Sequence, residues 1–208
     1  MRLGIMASGR GSNARAILEA VRDGRLRAEV PALVCNRAGA GVLDIAREFG
    51  VPAHLIVRGD FPTRIAQQRR MLGVLHDARV DTIALAGFSA IFRPFFLEAF
   101  PNRILNIHPS LLPAFGGTMA PRPQADALAA GVKLSGCTVH LVTEDLDSGP
   151  IVAQAAVCVH PDDTVDSLSA RILEQEHRVY PEVLQWFADG RVHVLDGIAR
   201  VDQPVTAA

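Results

Sequence analysis

Asn106 and His108 stand two residues apart in the apolar run Ile104 to His108, and Pro109 and Pro113 forbid a strand from continuing far beyond them. Side chains at i and i+2 of a strand share a face, so this spacing sends an amide and an imidazole into the same space. An amide N–H can stabilise a developing oxyanion, and an imidazole titrates near neutral pH. Together they suit acyl-type transfer. The same pair also suits a plainer task, satisfying the backbone groups of a turn, and taken alone it does not decide between the two.

A second cluster lies at the start of the chain. The apolar run Arg2 to Ala7 leads into Ser8-Gly9-Arg10-Gly11-Ser12-Asn13 and then into helical spacing of Ile17, Leu18 and Val21. Gly9 and Gly11 permit positive φ and close approach of a ligand, and the free N–H groups of a helix N-terminus attract an anion. Gly9-x-Gly11-x-x-Ala14 fits the relaxed dinucleotide pattern, but the next strand, Pro31 to Cys35, ends in Asn36-Arg37 where a ribose-binding acid is expected. A single phosphate is the reading that remains, against a tight turn without a ligand.

These residues need elements to place them. After Asn36 the pattern continues with a helix over residues 41–49, a strand over 53–57, a longer helix over 62–78 and the strand Thr82 to Ala86. Alternating strands and helices with short connections predict a doubly wound, mostly parallel, Rossmann-like α/β sheet. Arg64 falls in the first turn of the long helix, where a cation opposes the helix dipole. Residues 88–100 are rich in phenylalanine, most of it expected in the core, with 88–92 able to wall a pocket for a flat heterocycle. Residues 114–123 hold Gly116, Gly117, Pro121 and Pro123 and form a candidate lid. A helix over 124–130 follows.

The runs Leu134 to Thr143 and Ile151 to Val159, joined by Glu144-Asp145-Leu146-Asp147-Ser148-Gly149-Pro150, predict an antiparallel hairpin completing the sheet. Asp147 reaches the edge shared by Asn106 and the glycine loop if the first of these runs points the same way. Among the seven histidines, His108 alone has a polar partner at a strand end, and His140 reads as a packing residue. From Thr164 a helix runs to Phe187, its Glu174, Glu176 and His177 on a solvated face by default.

The 208 residues suit one large domain, residues 1–190, with residues 191–208 as an extension that includes a small hairpin and a loose tail over 201–208. With 21 basic and 22 acidic residues in no long runs, the chain lacks a footprint for nucleic acid or an anionic membrane, and a small-molecule partner is expected. Cys35, Cys137 and Cys158 lie apart in apolar segments and read as buried thiols, with no metal-ligand spacing. No signal peptide or membrane span stands out, so a cytoplasmic protein, monomer or homodimer, is expected.

The segments Ala7 to Asn13, Leu85 to Phe88, Leu105 to Pro113, Ser135 to Val142, Leu146 to Ile151 and Gln175 to His177 with Tyr180-Pro181 together resemble the folate-dependent phosphoribosylglycinamide formyltransferases of purine synthesis, in order and with nearly collinear spacing over residues 2–190. The resemblance implies the formyltransferase fold. It implies glycinamide ribonucleotide as substrate, its phosphate held by Gly11, Ser12 and Asn13 and its ribose and glycinamide by Leu173 to Glu176. It also implies 10-formyltetrahydrofolate as co-substrate, held by Arg64, Ser89, Ala90, Ile91, Phe92, Asn106 and Thr143, Glu144, Asp145, Leu146 and Asp147, without a metal. Asn106 would stabilise the oxyanion, protonated His108 would donate the proton, and Asp147 would raise the His108 pKa.

The family often has an arginine where this chain has Ala90, and histidines where this chain has Thr118 to Gln124. Sugar-nucleotide formyltransferases share Asn-x-His but not a reason for the glycine loop. Methionyl-tRNA formyltransferase and formyltetrahydrofolate deformylase need an additional domain for which 208 residues leave no room. A phosphate-ligand sensor without catalysis is the rival of a different class.

Overall fold

The computed structural model describes residues 1–202. Five strands run parallel: β1 (Arg2–Ala7), β2 (Glu29–Cys35), β3 (Ala53–Leu55), β4 (Thr82–Leu85) and β5 (Ile104–His108). β6 (Leu134–Leu141) is antiparallel to β5, and β7 (Ile151–Cys158) is antiparallel to β6. Their order in the sheet is β3-β2-β1-β4-β5-β6-β7, the doubly wound arrangement with the expected hairpin at one edge. Because the chain crosses from one side of β1 to the other, a crevice opens beyond the carboxyl ends of β1 and β4.

Alternation along the strands feeds two cores. Ile5, Leu33, Leu105 and Val139 face α1 (Ser12–Arg22), α2 (Val42–Glu48), α5 (Arg122–Ala129) and α6 (Val165–Ala188). Met6, Val34, Leu85 and Ile104 face α3 (Arg64–Asp77) and α4 (Pro94–Glu98). On the second face Phe88, Phe92, Phe96 and Phe100 form a ladder of rings with centroids 5.7, 4.3 and 6.5 Å apart, so the phenylalanine-rich segment is core, as its composition predicts.

Several boundaries shift for identifiable reasons. β3 stops at Leu55, where a 3-10 turn over Arg58–Asp60 follows soon after. α3 starts at Arg64 because Thr63 caps it, its hydroxyl accepting from the Ala66 N–H at 3.1 Å. α5 starts two residues early, at Arg122. Cys158 is exposed rather than buried, since it ends the edge strand β7 on its outward face. The C-terminal hairpin is present as β8 (Val192–Leu195) and β9 (Ile198–Val201). The tail expected over 201–208 lies outside the described residues from 203 onward. Among the described residues no helix is long and apolar enough to cross a membrane.

Candidate active site

One cavity of about 780 Å³ opens at the carboxyl edge of the parallel strands, and nearly every residue singled out from the sequence lines it. The glycine loop after β1 supplies Gly9 to Asn13, the loop after β4 supplies Gly87 to Phe92, and β5 supplies Asn106 and His108. Thr143 to Asp147 close one side, and Leu173 and Glu176 of α6 another. Arg64 is the exception: it is exposed on the first turn of α3 and does not line the cavity.

Asp147 arrives by an unexpected route. β6 pairs Thr138 with His108 and Leu141 with Leu105, so it runs down the sheet and ends near the start of β5, away from the crevice. The 142–150 loop then folds back across the face of the sheet. Gly149 permits this: a Cβ there would stand 1.9 Å from the Leu141 carbonyl oxygen, so only glycine lets the returning loop close on β6. Asp147 takes φ 52°, a left-handed conformation that Asp tolerates better than most residues.

The result is a buried cluster of four side chains. Asp147 Oδ2 lies 3.4 Å from His108 Nδ1, and Asp147 Oδ1 lies 3.6 Å from His140 Nε2. The Gly117 N–H donates to Asp147 Oδ2 at 2.8 Å, tying the 114–121 loop to the same carboxylate. His108 Nε2 contacts the Phe115 carbonyl at 3.0 Å; a carbonyl only accepts, so Nε2 carries the proton. By the same logic His140 Nδ1 donates to the Leu141 carbonyl at 3.0 Å, leaving Nε2 to accept from Asn106 Nδ2 at 3.1 Å. His140 is therefore satisfied, as expected of a packing histidine, and it also fixes which way the Asn106 amide points. Only the register of β6 against β5, which pairs Asn106 with His140, could have signalled this.

The electrostatics at His108 pull in both directions. Burial dominates at His108 and lowers its pKa below the ordinary histidine value, although the Phe115 carbonyl and the Asp147 charge both pull it upward. Asp147 acts in the predicted direction and is outweighed, so the resting ring is neutral at pH 7. At Asp147 burial pushes upward, but the contact with His140, the hydrogen bond from the Gly117 N–H and the nearby His108 hold the carboxyl below its usual range.

On the opposite wall, Gly11 precedes α1 with φ 84°, and a Cβ there would meet Val42 at 2.8 Å, so glycine is required on two counts. Gly9 is under no such constraint, its Cβ position being open. Asn13 Nδ2 donates to Glu176 Oε2 at 2.7 Å, while Asn13 Oδ1 is buried with no partner among the described residues. Glu176 is not on a solvated face; burial raises its pKa to about 7, opposed only by the Asn13 bond. Arg10 is the only arginine or lysine in a lining that includes Glu144, Asp145, Asp147, Asp166 and Glu176. Its place between two loop glycines is legible in the sequence; the carboxylates that share its cavity are not.

A sequence profile of the family described as Formyl transferase matches residues 1–184. The Escherichia coli (strain K12) protein named phosphoribosylglycinamide formyltransferase is 38% identical over 202 residues, covering 97% of this chain and 94% of that protein. Glycinamide ribonucleotide transformylase 1 from Symbiobacterium toebii superposes with a TM-score of 0.94 at 45% identity, over 98% of this chain and 94% of that one. A formyltetrahydrofolate deformylase from Pseudomonas syringae superposes with a TM-score of 0.89 at 25% identity, but only 66% of that chain is covered.

Proposed function

The chain belongs to the formyl transferase family, and from that premise we propose that it transfers the formyl group of 10-formyltetrahydrofolate to the amine of glycinamide ribonucleotide, a step of purine biosynthesis. The observation that carries this reading is the meeting of Asn106, His108 and Asp147 between the glycine loop and the 88–92 loop in one cavity. Residues 1–190 are proposed as the catalytic unit, with the β8–β9 hairpin as an extension.

The glycine loop and the α1 N-terminus suit a phosphate, with Gly11, Ser12 and Asn13 as its ligands and Arg10 as the nearby positive charge. Glu176 and Leu173 then lie where the ribose and glycinamide follow, and the unpaired Asn13 Oδ1 offers them an acceptor. Across the cavity, Ser89 to Phe92 and Thr143 to Asp147 would hold the pterin of the formyl donor. Arg64 would meet only a part of that molecule reaching beyond the mouth. Leu146 and Ile91, both exposed, offer apolar surface to an aryl group.

The donor supplies an activated formyl carbon, and attack by the substrate amine develops negative charge on the formyl oxygen. Asn106 Nδ2, held by His140, has a second N–H free to bond that oxygen, a preorganised donor typically worth about 3 kcal/mol. His108 is neutral at rest, so it first accepts a proton released by the attacking amine, and Asp147 stabilises the imidazolium formed with the proton on Nδ1. The same ring then returns that proton from Nδ1 to the departing nitrogen, which restores the resting tautomer. Its Nε2–H stays on the Phe115 carbonyl and holds the ring's orientation.

The test combines purified protein, glycinamide ribonucleotide and 10-formyltetrahydrofolate and follows formyl transfer directly. Turnover is expected. Binding of both molecules without turnover would replace this reading with a ligand sensor.

A further inference from the structure

Gln68 belongs to none of the motifs singled out from the sequence, yet it holds the loop on which the proposed donor site depends. It lies one turn after Arg64 on α3 and is 3% exposed. A buried glutamine is costly unless both halves of its amide are paired. Here both are, and to backbone two residues apart: Nε2 donates to the Ile91 carbonyl at 2.8 Å, and Oε1 accepts from the Arg93 N–H at 2.9 Å.

This pairing is what a neighbouring β-strand would make. On an extended segment the C=O of one residue and the N–H two positions later point to one side, and the residue between them sends its own N–H and C=O to the other. By taking Ile91 and Arg93, Gln68 turns the peptide groups of Phe92 away from α3. Two further restraints fix the same loop. The Ser89 N–H donates to Ser8 Oγ at 2.8 Å, and the Phe92 ring stacks between Phe88 and Phe96. Among the described residues, no protein group bonds to the backbone of Ala90 or Phe92, although both residues line the cavity. An unpaired N–H beside an unpaired C=O, held rigidly at a cavity wall, complements the alternating donors and acceptors along the edge of an amino-oxo heterocycle.

We propose that Gln68 is a positioning residue for the formyl donor: its amide clamps Ile91 and Arg93 so that the Ala90 and Phe92 backbone presents a fixed hydrogen-bonding edge to the donor's pterin. The clamp rests on the functional reading above, in which residues 89–92 meet the donor. It acts on one of the two substrates only, because Gln68 does not line the cavity and its hydrogen bonds among the described residues go to Ile91 and Arg93 alone.

The test is a substrate-resolved kinetic comparison of wild type, Gln68→Ala and Gln68→Glu. Gln68→Ala is expected to raise KM for 10-formyltetrahydrofolate about tenfold, leaving KM for glycinamide ribonucleotide and kcat at saturating donor within about twofold. Gln68→Glu keeps an acceptor for the Arg93 N–H, but when ionised it sets a carboxylate oxygen against the Ile91 carbonyl, and when protonated it donates there as the amide does. Its donor dissociation constant, relative to wild type, is therefore expected to be several-fold high at about pH 8 and to return towards one at about pH 5. A donor KM within twofold of wild type in Gln68→Ala, equal rises in both KM values, or a pH-independent ratio in Gln68→Glu would overturn the clamp. Failure of the wild-type protein to bind the donor at all would instead overturn the functional reading, and the clamp with it.

Discussion

The two walls of the cavity are built in different ways. The wall that suits a phosphate is made from regular structure: the end of β1, the start of α1 and the middle of α6, locked by Gly11 against Val42 and by Asn13 against Glu176. The wall that suits a flat heterocycle is made from three irregular segments, 87–93, 114–121 and 142–150, and carries exposed apolar side chains in Ile91, Met119 and Leu146. The first wall is shaped before any ligand arrives; in the second, 87–93 is clamped by Gln68 and Ser8, whereas 114–121 and 142–150 meet through single long-range bonds such as Gly117 to Asp147. A small, charged ligand tolerates a rigid cradle; a large, flat one needs surfaces that can close on it. His108 comes from a strand and Asp147 from a loop, so the proposed catalytic pair sits on the seam between the two constructions.

Breaking the seam should have the largest effect. Asp147→Ala leaves a buried His108 without its counter-charge and frees the Gly117 N–H, and turnover is expected to fall about 10²- to 10⁴-fold with ligand binding largely kept. Single-turnover kinetics beside binding titrations check this, and near-normal turnover would remove Asp147 from the mechanism. The rigid wall should fail differently. Gly11→Ala places a Cβ at 2.8 Å from Val42 in a left-handed backbone, and a loss of about 2 kcal/mol in stability is expected, with weaker ribonucleotide binding and unchanged donor binding. Thermal unfolding and isothermal titration with each ligand separate the two effects.

Glu176 sharpens the contrast through pH. Its folded pKa of about 7 lies above the ordinary 4.5, so the folded state binds more protons than the unfolded one between those values, and stability falls as pH rises through that window. Glu176→Gln is expected to flatten this slope and to gain up to about 3 kcal/mol relative to wild type above pH 7, read by urea unfolding across pH. On the seam the sign is opposite. His108 has a lowered pKa, so its neutral form is favoured by folding, and the acid limb of kcat/KM for the free protein is expected below the ordinary histidine value of 6.5. The smallest effect is expected at the adaptable wall, where Ile91→Ser should raise donor KM only about threefold because neighbouring apolar groups remain.

The same division decides how much the sequence revealed. The doubly wound sheet, the glycine loop and the placing of Asn106 and His108 follow from strand ends, glycines and prolines that act locally, and all are found in the structure. The adaptable wall depends on contacts between residues far apart in the chain. Nothing local to Asp147 shows that β6 descends and the loop returns, and nothing local to Gln68 shows that it meets Ile91, 23 residues away. The neutral state of His108 was illegible for a related reason: pairing with a carboxylate can be read from residue types, but burial is known only after the fold closes over the ring. Arg64 was placed by resemblance, and the structure leaves it outside the cavity.

The central claim is that two separate binding walls present their ligands to one imidazole. His108→Ala tests it most directly: glycinamide ribonucleotide and 10-formyltetrahydrofolate are each titrated against the variant, and formyl transfer is then measured with both bound. Binding of each within about twofold of wild type, with transfer slowed at least about 10²-fold, is the predicted result. Transfer at a rate close to wild type would show that the reaction does not pass through His108, and the site described here would have to be rebuilt around another group.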